Sequence, residues 1–135
     1  MNEPMAKSSG TANSGGAVIF VVDDEPMLLE LASVILDPLG YEIKTFRSPE
    51  SALRSFASAQ PKPVLVITDY AMHSMNGIEL IEACRRIQPR QKTLLLSGTV
   101  GPDIFHDAPS QPDRFLAKPY QAKQLIEAVK SLLAE

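Results

Sequence analysis

The chain has 135 residues, 44% hydrophobic and 21% charged, with 13 basic against 16 acidic side chains and a net charge of −3. That length fits one domain with a proper core, and the mild acidity argues against a nucleic-acid interface, which wants a basic face. A single cysteine, Cys84, excludes an internal disulfide, no apolar run approaches the roughly 18 residues of a membrane span, and the N-terminus lacks a signal-peptide core. A cytoplasmic, reducing setting is expected.

Residues 1 to 16 are small and polar and cannot bury enough apolar area to offset their conformational entropy, so a disordered tail is expected before a domain spanning 17–135. Ala17 to Val22 is an apolar run ending on Asp23-Asp24, the first strand. Pro26 suits the first turn of a helix, where Leu28, Leu31, Ile35 and Leu39 recur at helical spacing before Gly40 stops it. Tyr41 to Phe46 reads as a second strand. Ser48-Pro49 caps a second helix carrying Ala52, Leu53 and Phe56, and Pro61 and Pro63 end it.

The run from Pro63 to Asp69 is apolar at nearly every position, as in a strand covered on both faces, and it stops on a carboxylate. A loop from Ala71 to Gly77 leads into a third helix with Ile78, Ile81, Cys84 and Ile87 inward, closed by Pro89. Thr93 to Leu96 is a fourth strand ending on Ser97-Gly98. Thr99 to Arg114 holds Gly101, Pro102, Pro109 and Pro112, leaving room for at most one short helix around Asp103 to Ala108. Arg114 to Ala117 is a fifth strand ending on Lys118-Pro119, and the last helix carries Leu125, Val129 and Leu132 on one face. Alternating strands and helices imply an α/β fold: a doubly wound parallel sheet with helices on both faces.

Right-handed crossovers would bring Asp23, Asp24, Asp69, Ser97 and Lys118 to one edge of that sheet, where open α/β sheets bind ligands. Two carboxylates about 4 Å apart repel by roughly 4 kcal/mol at an effective dielectric near 20, so such a cluster needs a compensating cation. Mg²⁺ suits it, taking carboxylate oxygens while leaving room for a phosphate oxygen. A carboxylate can then attack phosphorus and form an aspartyl phosphate, with the metal and Lys118 neutralising the transferred oxygens and the Ser97 hydroxyl offering a donor to one of them.

Val21-Val22-Asp23-Asp24-Glu25-Pro26, Asp69-Tyr70-Ala71-Met72 with Met75-Asn76-Gly77, Ser97-Gly98, and Phe115-Leu116-Ala117-Lys118-Pro119 together resemble the receiver (response regulator) domain of bacterial two-component signalling, over residues 17–135. The resemblance implies the flavodoxin-like five-stranded sheet of order 2-1-3-4-5. It implies that Asp69 accepts a phosphoryl group from a phosphohistidine on a sensor histidine kinase or phosphotransfer protein. It also implies that Asp24 and Asp69 bind Mg²⁺ with the carbonyl of Ala71, Asp23 acting mainly through water. Ser97 and Lys118 would grip the phosphoryl oxygens, Phe115 would turn inward with Ser97 as a switch, and Lys118-Pro119 would be cis. The expected output is contact with another, unidentified protein, with no nucleic acid or membrane as partner. Catalysis would be limited to the protein's own phosphorylation and dephosphorylation. A stand-alone receiver and one derived from a hybrid kinase both fit.

The sequence departs from the family pattern at His73, where proline is usual, at Gly98, where alanine is usual, and in the proline-broken segment that replaces an extended fourth helix. Plainer readings stand beside these. Asp23-Asp24 could cap the first helix, Asp69 could be a turn residue and Phe115 plain core; His73 and His106 read as solvated loop residues and Cys84 as a small packed hydrophobe. An aspartate-nucleophile phosphohydrolase would usually carry a second Asp two residues on, where Ala71 stands. An unphosphorylated receiver-like binding module keeps all the same residues. A flavodoxin-like cofactor binder lacks its phosphate loop after the first strand.

Overall fold

A computed structural model describes residues 16–98, 101, 103 and 106–134. Five strands, β1 (Val18–Val22), β2 (Glu42–Phe46), β3 (Leu65–Asp69), β4 (Thr93–Ser97) and β5 (Arg114–Ala117), are joined by helices α1 (Pro26–Leu36), α2 (Pro49–Ser58) and α3 (Gly77–Ile87) after the first three strands, with α4 (Ala122–Ala134) after β5. All neighbours are parallel, in the order β2-β1-β3-β4-β5, as expected. Among the described residues no helix is long and apolar enough to cross a membrane. The tail expected over 1–16 lies, but for Gly16, outside the described residues, and the short helix expected at 103–108 rests partly on residues outside them.

The central strands are buried at every position of β3 and β4, which is why their sequences run apolar without alternation. Successive residues serve opposite layers. Ile19, Val21, Leu65, Ile67, Leu94 and Leu96 pack under α1 and α4, against Leu36, Leu125, Val129 and Leu132. Phe20, Val22 and Val66 pack under α2 and α3, against Ala52, Phe56, Leu80 and Cys84. Phe20 stands edge-on to Phe56 with ring centres 6.3 Å apart, the geometry that aromatic quadrupoles favour.

Local signals set the helix ends. Pro26 and Pro49 occupy first-turn positions, and Ser48 accepts a hydrogen bond from Ser51 N–H. Asn76 and Glu79 form a reciprocal capping box at the start of α3. Gly40 ends the turn after α1 with φ of 87°, a left-handed conformation that favours glycine. Lys62 closes α2 by donating to the carbonyls of Phe56, Ala57 and Ala59 at 2.8, 3.1 and 2.9 Å. Arg85, near the end of α3, donates to Thr93 Oγ1 at 3.2 Å and Asp113 Oδ2 at 2.8 Å, tying together the points where β4 and β5 enter the sheet.

Two inward faces differ from expectation. On α1 the buried residues are Leu29, Ala32 and Leu36, while Leu31 is 46% exposed. Ile35 and Leu39 of the spaced set pack against the core, so the spacing located the inward face only in part, as the helix is apolar nearly all round. Ile87, expected inward on α3, is 43% exposed because it lies in the last turn, beyond Leu80, Ile81 and Cys84, which cover the sheet.

Two glycines near the sheet edge respond oppositely to a methyl group. A Cβ on Gly77 would stand 2.4 Å from the carbonyl oxygen of Asp69 and 2.7 Å from Leu95 Cδ1. Gly77→Ala therefore lowers stability by about 1–3 kcal/mol, overpacking outweighing the helix propensity gained. A Cβ on Gly98 meets nothing closer than Lys118 Cβ at 3.4 Å, an ordinary contact. Gly98→Ala is expected to hold or raise stability, by up to about 1 kcal/mol, through loss of unfolded-state freedom. Urea unfolding of both variants measures the contrast.

Candidate functional site

The parallel register brings the ends of β1, β3, β4 and β5 level. Val22 pairs with Thr68, Asp69 with Leu96, and Ser97 with Ala117. The residue that ends or follows each strand thus reaches the same edge: Asp23, Asp69, Ser97 and Lys118. Backbone hydrogen bonds fix them there. Asp23 N–H donates to Phe46 O at 3.1 Å, Tyr70 N–H to Leu96 O at 2.8 Å, and Lys118 N–H to Ser97 O at 2.8 Å.

Asp23, Asp69 and Ser97 are buried, at 3%, 6% and 3% exposure. Lys118 Nζ donates to Asp69 Oδ1 at 2.9 Å and to Asp23 Oδ2 at 3.3 Å, joining groups 49 and 95 residues apart in sequence. The peptide bond between Lys118 and Pro119 is cis, as the resemblance implied, and so is that between Gln60 and Pro61. Asp23 Oδ1 also accepts from Glu25 N–H at 2.9 Å, but Glu25 is itself the N-cap of α1 and no side chain caps that helix, so the helix-capping reading is not borne out. Asp23, Asp24 and Asp69 each present a carboxylate oxygen within 4.8 Å of the others.

Burial pushes the Asp69 carboxyl above its usual range and the nearby Asp23 charge adds to this, while the hydrogen bond from Lys118 works the other way. For Lys118, burial opposes the charge, but the hydrogen bonds and charges of Asp69 and Asp23 together outweigh it and raise its pKa. Both directions describe an edge with an excess of negative charge. Three carboxylates share one ammonium, and a divalent cation would balance them. The donor set, all carboxylate oxygen around a partly open mouth, fits Mg²⁺.

Ser97 lies at the end of β4 beside this group. Phe115 is half-buried on β5, opposite Leu95, and packs with Tyr70 against Ile78 and Ile81. It is therefore neither fully buried core nor free in solvent. Ala71 lies two residues after Asp69 in the exposed loop. Cys84 is buried with its thiol pushed up to about 12, in keeping with a packed and unreactive side chain.

Three features of this edge had no sequence signal. His73 Nδ1 stands 3.6 Å from Asp24 Oδ2, although its side chain is 96% exposed. The next residue, Ser74, has φ of 66° and its hydroxyl bonds both Glu50 on α2 and the carbonyl of His73. Tyr120, half-buried near Lys118 and Asp23, has its phenol pKa raised by burial. Each depends on which loop the fold sets beside the carboxylates.

A family model for the response regulator receiver domain matches residues 19–130. Among individual proteins, the DNA-binding response regulator MtrA of Mycolicibacterium smegmatis is 29% identical over 115 residues, covering 85% of this chain and 50% of the relative. The transcriptional regulatory protein GlrR of Escherichia coli is 31% identical over 121 residues, covering 88% of this chain and 27% of the relative. The chain thus spans about half or less of these relatives. A response regulator receiver domain from Clostridium thermocellum superimposes with a TM-score of 0.80 at 27% identity, over 87% of this chain and 94% of that one. The receiver domain of an HD domain-containing protein from Pseudomonas fluorescens Pf-5 gives 0.79 at 26%, over 88% and 95%. With the acidic edge, the sheet order and the family match in agreement, the chain belongs to the response regulator receiver domain family.

Proposed function

We propose that Asp69 is the phosphoacceptor of this receiver, taking a phosphoryl group from a phosphohistidine on a sensor histidine kinase or phosphotransfer protein. The observation that carries this is the bridge from Lys118 to Asp69 and Asp23, with Asp24 beside it. An Asp69 oxygen forms the new bond to phosphorus as the bond from phosphorus to the donor imidazole breaks, and the imidazole leaves with the electron pair and takes up a proton. Asp24, Asp69, Asp23 and the Ala71 carbonyl would hold Mg²⁺, which when bound neutralises charge on the transferring oxygens. Lys118 aims its ammonium at the same oxygens, and the Ser97 hydroxyl offers them a donor.

The phosphoryl group adds about −1.5 to −2 charges at this edge. Ser97 would move toward it and free space for Phe115, remodelling the surface around β4 and β5. The output is contact with another protein, and catalysis is confined to gain and loss of the protein's own phosphoryl group. The cytoplasm suits both the chemistry and the buried free thiol.

The donor's approach has a matching surface. Met27, Leu31 and Val34 are 79%, 46% and 65% exposed and fall at i, i+4 and i+7, one apolar stripe on α1 starting three residues after Asp24. Its continuity with the carboxylate edge suits an apolar helix of the donor, placing a phosphohistidine over Asp69.

The acceptor is tested by intact mass after incubation with Mg²⁺ and acetyl phosphate: the parent gains one phosphoryl group and Asp69→Asn gains none. Equal gain in both would place the acceptor elsewhere. Leu31→Asp should slow transfer from a histidine-phosphorylated donor protein by about tenfold, the effect of losing one well-placed apolar contact, and leave acetyl phosphate labelling unchanged.

The charge excess gives a stability test. Because the folded pKa of Asp69 is raised, its contribution is fully present below the unfolded carboxyl range and is lost as pH rises through the folded value. At neutral pH without Mg²⁺ the ionised Asp69 therefore costs stability. Asp69→Asn should raise Tm there by several degrees, about 4 °C accompanying each kcal/mol in a domain of this size. Mg²⁺ should narrow the gap by raising the parent's Tm more, and thermal melts with and without the ion read both effects.

A further inference from the structure

His73 is a solvated loop residue, as expected, but its imidazole stands beside the acidic cluster. Its side chain is 96% exposed, so packing does not account for where the ring stands, yet Nδ1 lies 3.6 Å from Asp24 Oδ2. Asp24 is the rim carboxylate of the cluster, 29% exposed, and Lys118 donates to Asp23 and Asp69 but not to it. The segment carrying His73 is anchored. The hydroxyl of Ser74, at φ of 66°, bonds Glu50 on α2, and Met75 N–H donates to the His73 carbonyl at 2.7 Å. An anchored backbone leaves mainly the two side-chain torsions to be fixed when the ring engages a ligand.

Two ligands each about 2.0–2.2 Å from one ion stand about 3.0–3.5 Å apart, depending on coordination geometry. The Nδ1–Oδ2 separation in the free protein is within a small rotation of that range. An imidazole nitrogen beside three carboxylates changes which ion the edge prefers. Mg²⁺ takes oxygen, whereas nickel, copper and zinc accept imidazole readily and bind mixed nitrogen–oxygen sites more tightly.

We propose that His73 is an additional side-chain ligand at the Asp23–Asp24–Asp69 edge, so that this receiver holds a nitrogen-accepting divalent transition ion more tightly than Mg²⁺. The inference rests on the reading of the acidic edge as a cation site and adds its selectivity. His73 is then a specificity residue, and the ion at the edge follows the ratio of transition metal to magnesium around the protein.

Calorimetric titration of the whole chain with magnesium chloride and with nickel chloride tests this, using the parent, His73→Ala and His106→Ala. His73 is exposed, so its removal leaves the fold intact. His106, with Asp107 at 3.5 Å, is the rival imidazole–carboxylate pair. The expected result is Ni²⁺ binding at least about tenfold tighter than Mg²⁺ in the parent. His73→Ala should lose about tenfold or more of the Ni²⁺ affinity, the scale on which groups around metal sites act, with Mg²⁺ affinity unchanged. His106→Ala should match the parent. Unchanged Ni²⁺ affinity in His73→Ala overturns the proposal, as does loss of Ni²⁺ binding in His106→Ala. Failure of Mg²⁺ to bind any of the three proteins counts instead against the magnesium site proposed above, and the His73 effect is still read from the nickel titrations.

Discussion

One ammonium group held between two buried carboxylates is the contact around which the charged edge of this sheet is built. Lys118 arrives from the end of β5, Asp69 from β3 and Asp23 from β1, and Nζ reaches both acids at hydrogen-bond distance. Carboxylates placed this near one another repel strongly away from bulk water, and one positive charge cannot neutralise three negative ones. The edge is therefore left with unbalanced charge, which folding alone would not select. It is suited to a divalent cation and to a phosphoryl group that arrives with it.

The rest of the fold keeps that edge level and rigid. Burial of β3 and β4 at every position fixes the strand register, and a slip of one residue would move Asp69 away from Lys118. Arg85 pins the entry of β4 and β5 from the far side. Gly77 lets the start of α3 pass close to the Asp69 carbonyl, so the loop between them returns tightly beneath the site. A stable sheet of this kind tolerates a small charged region because the cost is confined to one edge, while both apolar layers lie away from it.

Around that core the molecule varies what it presents. The stripe of Met27, Leu31 and Val34 on α1 offers an apolar approach beside the acids. His73 brings an imidazole to the rim, and Ser74 holds its loop to α2. Relatives that share this domain are two to nearly four times the length of the matched part, so the likeness covers only a portion of each.

The sequence alone determined the architecture and most of the acidic edge, since both follow from local rules. Unbroken apolar runs mark strands covered on both faces, Pro26, Ser48 and Gly40 mark helix ends, and a carboxylate or lysine after a buried strand can only emerge at the sheet edge. What it left open is of another kind. The inward face of α1 was legible only in part, with Ile35 and Leu39 against the core but Leu31 exposed, because an all-round apolar helix carries no phase until something packs on it. The contacts of His73 with Asp24 and Ser74 with Glu50 join loops and helices whose separation is decided by packing of the whole chain. Local pattern specifies elements and where their ends emerge; only the assembled layers decide which side chains from different loops come within reach.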